Sequence, residues 1–179
     1  MQILSLYILK KAAVFKNGKQ LGKTFTENFN YHKAVGKTIT ISPDPSKVYS
    51  GSGPQGLING ISGSDTRYGD KEWLGFWGDD FEISIDLGEE MEINAIKTRF
   101  HNGQGQWIYA PKDIEFQFDH DSQIIEVPDS NDILVPVVFD KKVRTRYIKL
   151  IVSNYGIIPE GNQGSGNKAW TFIDEIIVK

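Results

Sequence analysis

Hydrophobic and polar residues alternate in short segments along this chain, and no long stretch follows the 3.6-residue period of a helix. In residues 81–87 every second residue is apolar, from Phe81 to Leu87, and the residues between them are polar, which is typical of a half-buried strand. The same reasoning predicts strands over residues 37–41, 93–101, 114–118, 133–139, 147–152 and 171–178. Short strands joined by glycine-rich loops predict a β-sandwich or barrel.

The first 25 residues are predicted to form a β-hairpin of their own. Residues 3–15 and 20–25 are apolar-rich and flank Asn17-Gly18, a dipeptide that favours a type I′ turn. A lone hairpin is marginal in water. We therefore place a boundary near residues 30–36 and interpret residues 1–33 either as the tail of a preceding β domain or as strands pressed onto the main sandwich, residues 34–179.

Composition excludes several classes of function. The 179 residues carry a net charge of −3, with 39% hydrophobic residues, and the sequence pI is about 5.6. This balance indicates a folded chain and argues against phosphate-binding nucleic-acid modules and polybasic membrane surfaces. The chain has no cysteine, which excludes disulfide scaffolds, thiol catalysis and thiolate metal sites.

The apolar residues near the start do not resemble a membrane span or a leader. Residues 3–9 are interrupted by Ser5 and are too short to cross a bilayer. They lack the basic start and the small-residue cleavage site of a signal peptide. We expect either a protein that stays inside the cell or an internal piece of a longer exported chain.

No set of residues in the sequence has the spacing of a catalytic centre. His32, His101 and His120 lack the spacing of a zinc helix, and neither a nucleophile elbow nor a phosphate-binding loop is present. The carboxylate pairs 79–80 and 89–90 fall at strand edges and turns, where solvated side chains are the ordinary interpretation, because catalytic carboxylates need a cleft. We expect no catalysis by this chain.

Long loops rich in aromatic residues are the most informative feature. Predicted loops cover residues 42–56, 59–80, 103–111 and 154–168, and only residues 54–58 are compatible with a helical turn. Trp77, Trp107, Tyr109, Tyr155 and their aromatic neighbours lie in or beside these loops. Flat rings stack on the C–H faces of sugars, and nearby polar groups bind the hydroxyls. Alternatively the rings close the ends of the core, and this second interpretation is favoured for Trp73, Phe76 and Trp170.

One turn carries enough oxygen ligands to suggest a cation site. Residues 57–64 are rich in backbone and hydroxyl oxygens, and Asp174-Glu175 adds carboxylates within an apolar strand. Calcium takes six to eight oxygens, many of them backbone carbonyls. A turn beside an exposed acid is the alternative interpretation.

Taken together, these segments resemble a known family, the discoidin or coagulation-factor 5/8 type C domain. The segments that carry the resemblance are LING at residues 57–60, GFWG at 75–78, FEISIDLG at 81–88 and AWTFIDEI at 169–176. The longer strings YGDKEWLGFWG, FHNGQGQWIYAPKDIEF and GNKAWTFIDEI resemble the domain that ends bacterial β-N-acetylhexosaminidases (chitobiases) of glycoside hydrolase family 20. The residues around the hairpin are similar to the join that precedes this domain. The resemblance implies an eight-stranded jelly-roll β-sandwich of the galactose-binding type, related to family 32 carbohydrate-binding modules.

The resemblance also implies two sets of site residues. A structural calcium ion would be held by Asn59, Ser64 and Glu175, and asparagine at position 59, where aspartate is common, would weaken it. Sugar-binding members use an aromatic ring with polar partners at one end of the sandwich. The corresponding positions here are Glu72, Trp77, Arg99, His101, Asn102, Trp107, Tyr109 and Tyr155.

We therefore expect a non-catalytic carbohydrate-binding module of a chitobiase, binding a galactose, N-acetylgalactosamine or N-acetylglucosamine type of sugar. The parent enzyme would be exported to the periplasm, the outer membrane or the medium, and its catalytic domain would be a second partner. The alternative is a structural accessory domain that binds no sugar. Some relatives insert loop tips into membranes, but the acidic pI argues against membrane insertion here, and no nucleic-acid partner is expected.

Overall fold

The computed structural model of the chain describes residues 6–179, which form twelve strands and three short 3₁₀ helices. The strands are β1 (Leu6–Lys16), β2 (Lys19–Tyr31), β3 (Thr38–Ser42), β4 (Leu74–Trp77), β5 (Phe81–Ile93), β6 (Ile96–His101), β7 (Asp113–Gln117), β8 (Ser122–Glu126), β9 (Leu134–Phe139), β10 (Val143–Ser153), β11 (Trp170–Ile173) and β12 (Ile177–Val178). The 3₁₀ helices are Lys47–Tyr49, Pro54–Ile58 and Gln104–Gln106. Within the described residues, no helix has the length and apolar character needed to cross a membrane.

The predicted N-terminal hairpin is confirmed in strands β1 and β2. Asn17 and Gly18 both have positive φ angles, 50° and 75°, as a type I′ turn requires. The predicted start of its first strand, residues 3–5, lies outside the described residues. At its base the hairpin meets the sandwich, where the Asn30 N–H donates to the Gly60 carbonyl at 2.8 Å. The interpretation of residues 1–33 as the tail of another domain stays a prediction.

Two antiparallel sheets form the predicted sandwich. The first sheet has the strand order β3-β5-β10-β7-β8. In the second, β6 pairs with β9 on one side and with β11 and β12 on the other, and β11 pairs with β4. The all-β sandwich is therefore confirmed, with ten strands where eight were expected. Two of the ten, β11 and β12, follow one another along the same side of β6.

The core lies between the two sheets and consists of the apolar residues that the alternation predicted. Phe81, Ile83, Ile85 and Leu87 of β5 are buried, whereas the polar residues between them are at least partly exposed. Burying such side chains contributes roughly 25 cal/mol per Å² of apolar area. The core thus fixes the two sheets, and the loops at their ends are held by a rigid support.

The strand directions collect the long loops at one end of the sandwich. Residues 78–80, 102–112, 127–133 and 154–169 connect strand ends at this edge, which we call the loop end. Backbone hydrogen bonds tie these loops together, for example from Gly78 N–H to the Ala169 carbonyl at 3.0 Å. Residues 59–73 instead run along the outer face of the second sheet and cover it.

Two strands lie in segments that the sequence pattern did not identify as strands. Residues 74–77, predicted as part of a loop, form β4, and residues 122–126 form β8. The predicted helical turn is confirmed as the 3₁₀ helix Pro54–Ile58.

Candidate functional site

A cavity opens at the loop end where three loops meet, and we call it the tyrosine pocket. It has a volume of about 180 Å³, and five of its lining residues also line a second polar cavity of about 310 Å³. Its polar and aromatic lining consists of Asn102, Gln104, Tyr109, Lys112, Asp129, Ser130, Asn131, Tyr155 and Asn162. Concave sites with ring walls and a few polar groups are the usual form of small-ligand sites.

Two tyrosines form the wall of this pocket. The rings of Tyr109 and Tyr155 lie 4.6 Å apart between centroids and are tilted by 32°. Tyr109 is buried, and its hydroxyl has no hydrogen-bond partner among residues 6–179. A buried hydroxyl without a partner costs free energy. Burial, together with the nearby charge of Asp129, raises the pKa of Tyr155, so this phenol is neutral at physiological pH.

Asn102 positions the loops around the pocket. Its amide nitrogen donates to the carbonyls of Ser130 and Asp132 at 2.7 and 3.1 Å, and its oxygen accepts the Ala110 N–H at 3.3 Å. Because the side-chain amide of Asn102 forms hydrogen bonds with three backbone groups, Asn102 has a structural role where a sugar contact was expected. It joins loop 102–112 to loop 127–133.

A pair of tryptophans lies beside the pocket at the same end of the sandwich. Trp77 is 38% exposed, and its ring centroid lies 6.4 Å from that of Trp107, with the two planes 30° from parallel. Trp107 has a φ angle of 65°, an uncommon conformation for a bulky residue and one that is often found at functional sites. Trp107 and Tyr155 both pack against the small cluster of Tyr109, Ile158 and Ala169, so the pair and the pocket share a support.

Further aromatic rings continue from this pair under the covering segment 59–73. Neighbouring centroids are 4.8–5.6 Å apart along the series Trp77, Trp170, Tyr49, Phe172, Tyr68, His101 and Trp73. Trp73 and Phe76 are buried, as the core interpretation predicted, and Trp170 is half-buried. These rings therefore form a second, aromatic core, in which Tyr49 and Tyr68 stay partly exposed and Trp77 is the most exposed ring.

His101 belongs to this aromatic core, which corrects its prediction as a sugar partner. Its ring lies 5.3 Å from Tyr68 and 5.6 Å from Trp73, and neither ring nitrogen has a partner among the described residues. Burial lowers the pKa of His101 below its usual value of 6.5, because the charged form would lose its hydration.

The titration of His101 provides a direct test of this placement. We expect its ring C–H signals to titrate with a midpoint below 6.5, and to stay unchanged when sugar is added. Because the pKa of His101 is lower in the folded protein, the unfolded chain binds the proton first as the pH falls. His101 therefore lowers the free energy of unfolding as the pH falls below 6.5. Proton NMR of the three histidines measures the titration midpoint of His101 and the response of its signals to sugar. A midpoint above 6.5 for His101, or a shift on addition of sugar, would contradict the buried position.

Arg99 and Glu72 are likewise bound within the protein and do not line the pocket. The Arg99 guanidinium pairs with Asp174 at 2.8 Å and with Asp65. Burial by itself would lower the pKa of Arg99, and the bonds to Asp174 and Asp65 more than offset this and raise it. Glu72 Oε1 lies 3.7 Å from Lys71 Nζ, and the Glu72 side chain is mostly buried. Neither residue lines the tyrosine pocket, and their assignment as sugar partners stays a prediction.

The three residues expected to bind calcium do not fit that role in this structure. The Asn59 side-chain oxygen accepts the Ile61 N–H at 2.7 Å, and Ser64 Oγ lies 3.4 Å from the Thr66 hydroxyl. Glu175 Oε1 lies 2.6 Å from His32 Nε2 and accepts the Gly60 N–H at 2.8 Å. Residues 6–179 contain no group of three His, Cys, Asp or Glu side chains placed to hold a metal. Protein donors thus bond to the Asn59 oxygen and to one oxygen of Glu175, whereas Glu175 Oε2 is buried without a partner among the described residues.

Comparison with known proteins identifies the family. The model of the F5/8 type C domain matches residues 22–176. The chain belongs to the F5/8 type C domain family. No sequence among the curated proteins matches this chain significantly.

Solved structures agree with this F5/8 type C fold. A fucose-binding module of Streptococcus pneumoniae is similar with a TM-score of 0.53 and 16% identity, covering 92% of this chain and 98% of that one. The lectin domain of lectinolysin, solved with Lewis B antigen, has a TM-score of 0.51 and 14% identity, covering 83% and 96%. At these identities the likeness shows the fold alone.

The sequence did not single out the polar residues of the tyrosine pocket. Gln104, Lys112, Asp129, Ser130 and Asn162 lie in three different loops and have no characteristic spacing. The loop of residues 127–133 was not identified because the edge strand β8 before it was missed. Its run of Pro128, Asp129 and Ser130 is the only signal that could have marked it as a turn-rich loop.

Proposed function

We propose that this F5/8 type C domain is a non-catalytic carbohydrate-binding module whose site is the tyrosine pocket with the adjoining Trp77–Trp107 pair. The observation that supports this most is the open cavity whose wall is formed by the tilted ring pair Tyr109 and Tyr155 and whose lining also carries several polar side chains. A pyranose presents an apolar C–H face and a rim of hydroxyls. The pocket offers a ring for the face and amide, carboxylate, ammonium and hydroxyl groups for the rim.

The charges around the pocket favour a neutral sugar over an anionic one. Asp129 and Lys112 both line the cavity, so its lining carries one group of each sign. The hydroxyl groups of a neutral sugar can donate to the Asp129 carboxylate and accept from the Lys112 ammonium. The carboxylate of an anionic sugar would be repelled by that of Asp129. The fucose-binding module among the similar structures makes fucose a further candidate beside the galactose and N-acetylhexosamine types.

A sugar titration followed by NMR tests the proposal. Galactose, N-acetylgalactosamine, N-acetylglucosamine and fucose are each added to the ¹⁵N-labelled protein. We expect at least one of them to shift the indole N–H of Trp107 and the backbone signals of the loops at residues 102–112 and 127–133. A single small site should have a Kd of about 1 mM, which corresponds to about −4 kcal/mol. No shift with any of the four sugars at tens of millimolar would refute the proposed site.

A matched pair of tyrosine variants locates the site. We expect Tyr155→Ala to weaken sugar binding about tenfold, because a stacked ring contributes on the order of 1 kcal/mol beyond its buried area. Tyr147→Ala is the control, since Tyr147 is 50% exposed but lies on the outer face of the first sheet. Isothermal titration calorimetry measures both. Equal losses in the two variants, or no loss in Tyr155→Ala, would contradict a site at the tyrosine pocket.

We further propose that the domain serves a larger glycoside hydrolase of the β-N-acetylhexosaminidase type. The support is the resemblance of the strings at residues 68–78, 100–116 and 166–176 to that family. A module tethered to its enzyme raises the effective concentration of the catalytic domain at the glycan. This chain alone should not hydrolyse a chromogenic N-acetylglucosaminide, and turnover that survives repurification would contradict the division of roles.

A structural accessory domain is the second candidate, and one observation favours it. Trp73 is fully buried in the aromatic core, and Tyr49 and Tyr68 pack partly buried against it, as a domain that only packs against its neighbours would have them. The sugar titration separates the two candidates, because an accessory domain gives no sugar-dependent shift at the loop end.

A further inference from the structure

Two buried carboxylates join the turn of residues 59–65 to the segment between β11 and β12. Asp174 and Glu175 are almost fully buried. The Gly63 N–H donates to Asp174 at 2.7 Å, and the Gly60 N–H donates to Glu175 at 2.8 Å. Buried charges require compensation by an opposite charge or several hydrogen bonds. The source of that compensation decides whether this junction needs a metal ion.

Arg99 of β6 supplies the positive charge at this junction. Its Nε and one terminal nitrogen donate to the Asp174 carboxylate at 2.8–3.1 Å, and that same terminal nitrogen also donates to the Gly63 carbonyl. Its other terminal nitrogen donates to Asp65. Carboxylates and a backbone carbonyl are the ligands that a hard divalent cation would take. The guanidinium therefore makes the contacts that such an ion would make.

His32, from the segment that follows the hairpin, supplies a proton donor to the second carboxylate. Its Nδ1 accepts the N–H groups of Ala34 and Val178 at 3.3 and 3.4 Å, so the ring proton resides on Nε2. That Nε2–H faces Glu175 Oε1 at 2.6 Å. With the Gly60 N–H, one oxygen of Glu175 has two protein donors.

We propose that the Arg99 guanidinium, with the Nε2–H of His32, takes the place of a bound calcium ion in this F5/8 type C domain. The domain then folds and holds its turn at residues 59–65 without metal. The same geometry implies a latent cation site: without the guanidinium, Asp65, Asp174 and the Gly63 carbonyl are left facing one another. Glu175 Oε2 is also buried and has no hydrogen-bond partner in the described part of the chain.

The unmodified protein gives the first test. Its Tm, measured by calorimetry, should be the same within about 1 °C in EDTA and in millimolar calcium. Calcium bound at 100 times its Kd would raise the Tm by roughly 5–11 °C in a domain of this size. A chelator-dependent fall of several degrees would overturn the proposal, and this outcome does not depend on any variant.

Arg99→Met gives the second test, because it keeps most of the side-chain volume and removes every donor. We expect its Tm to fall on the order of 10 °C in EDTA, since a buried carboxylate loses its partner, and to recover in part with calcium. Arg146→Met is the control: Arg146 makes a similar two-bond pair with Asp86, at 2.8 and 2.9 Å, on the surface of the first sheet. Its Tm should not respond to calcium.

Terbium provides a direct readout of the latent site. The Arg99 guanidinium carbon lies 5.5 Å from the Trp73 ring centroid, so a terbium ion in its place would be sensitised by excitation of that indole. We expect tryptophan-sensitised luminescence that saturates in Arg99→Met and stays at background in the unmodified protein and in Arg146→Met. A folded Arg99→Met that binds neither terbium nor calcium would overturn the claim that the guanidinium occupies a cation position.

Discussion

Replacing Trp73 by alanine is expected to lower the free energy of unfolding by about 3–5 kcal/mol. Trp73 is fully buried, its Nε1–H donates to the Ser64 carbonyl at 3.1 Å, and Gly63 packs directly against its ring. The variant loses the packing of the indole and leaves a cavity under the covering segment. Arg99 also loses the ring over which it lies. The expected fall in Tm is roughly 6–20 °C for a domain of this size.

Trp77→Ala is the matched control for this prediction. It removes the same side chain from a position that is 38% exposed at the end of β4, so we expect a loss of no more than about 1 kcal/mol. Urea denaturation followed by circular dichroism compares the two variants. If Trp73→Ala lost as little as Trp77→Ala, the covering segment would not be an integral part of the core.

The sequence pattern was sufficient for strands that have one buried and one exposed face. Strand β5 shows this, because its alternation comes from the solvent on one side and the core on the other. Strand β4 was missed for the opposite reason: Leu74, Gly75 and Phe76 are all buried. Leu74 and Phe76 belong to the main core, and Tyr49 lies against Gly75. An apolar run without alternation does not distinguish a doubly buried strand from an aromatic loop. Strand β8 was missed because it is an edge strand with mostly exposed side chains.

The site was predictable in its rings but not in its polar groups. Trp107, Tyr109 and Tyr155 come together at the loop end, as loops at one end of a sandwich should place them. The partners of Arg99, His101 and Asn102 could not be inferred from sequence, because their contacts come from residues far along the chain. Asp174, for example, is 75 residues from Arg99. A cationic or amide side chain near an aromatic loop has the same sequence signal whether it binds a ligand or the protein itself.

Gly164→Ala is expected to weaken sugar binding at least tenfold while the domain stays folded. Gly164 has a φ angle of +82°, and a Cβ atom there would lie 2.3 Å from Nε1 of Trp107. The indole must therefore move, and with it the cluster against which Tyr155 packs. Gly166→Ala is the control, because Gly166 has nearly the same φ angle, +83°, and its Cβ would meet nothing within 4 Å. Both variants carry the left-handed backbone cost of roughly 1–2 kcal/mol, so only the displacement of Trp107 distinguishes them.

Calorimetric titration with the best sugar of the NMR panel, together with the Tm of each variant, measures the difference. Similar Tm values with a selective loss of affinity in Gly164→Ala would show that the orientation of Trp107 determines binding. Equal affinities in the two variants would mean that the sugar is bound by the tyrosine pocket without help from the indole. In that case the Trp107 N–H should also stay unshifted in the NMR titration, so the two experiments check each other. The left-handed backbone at Trp107, which places a bulky residue where glycine or asparagine is common, would then have only a structural role.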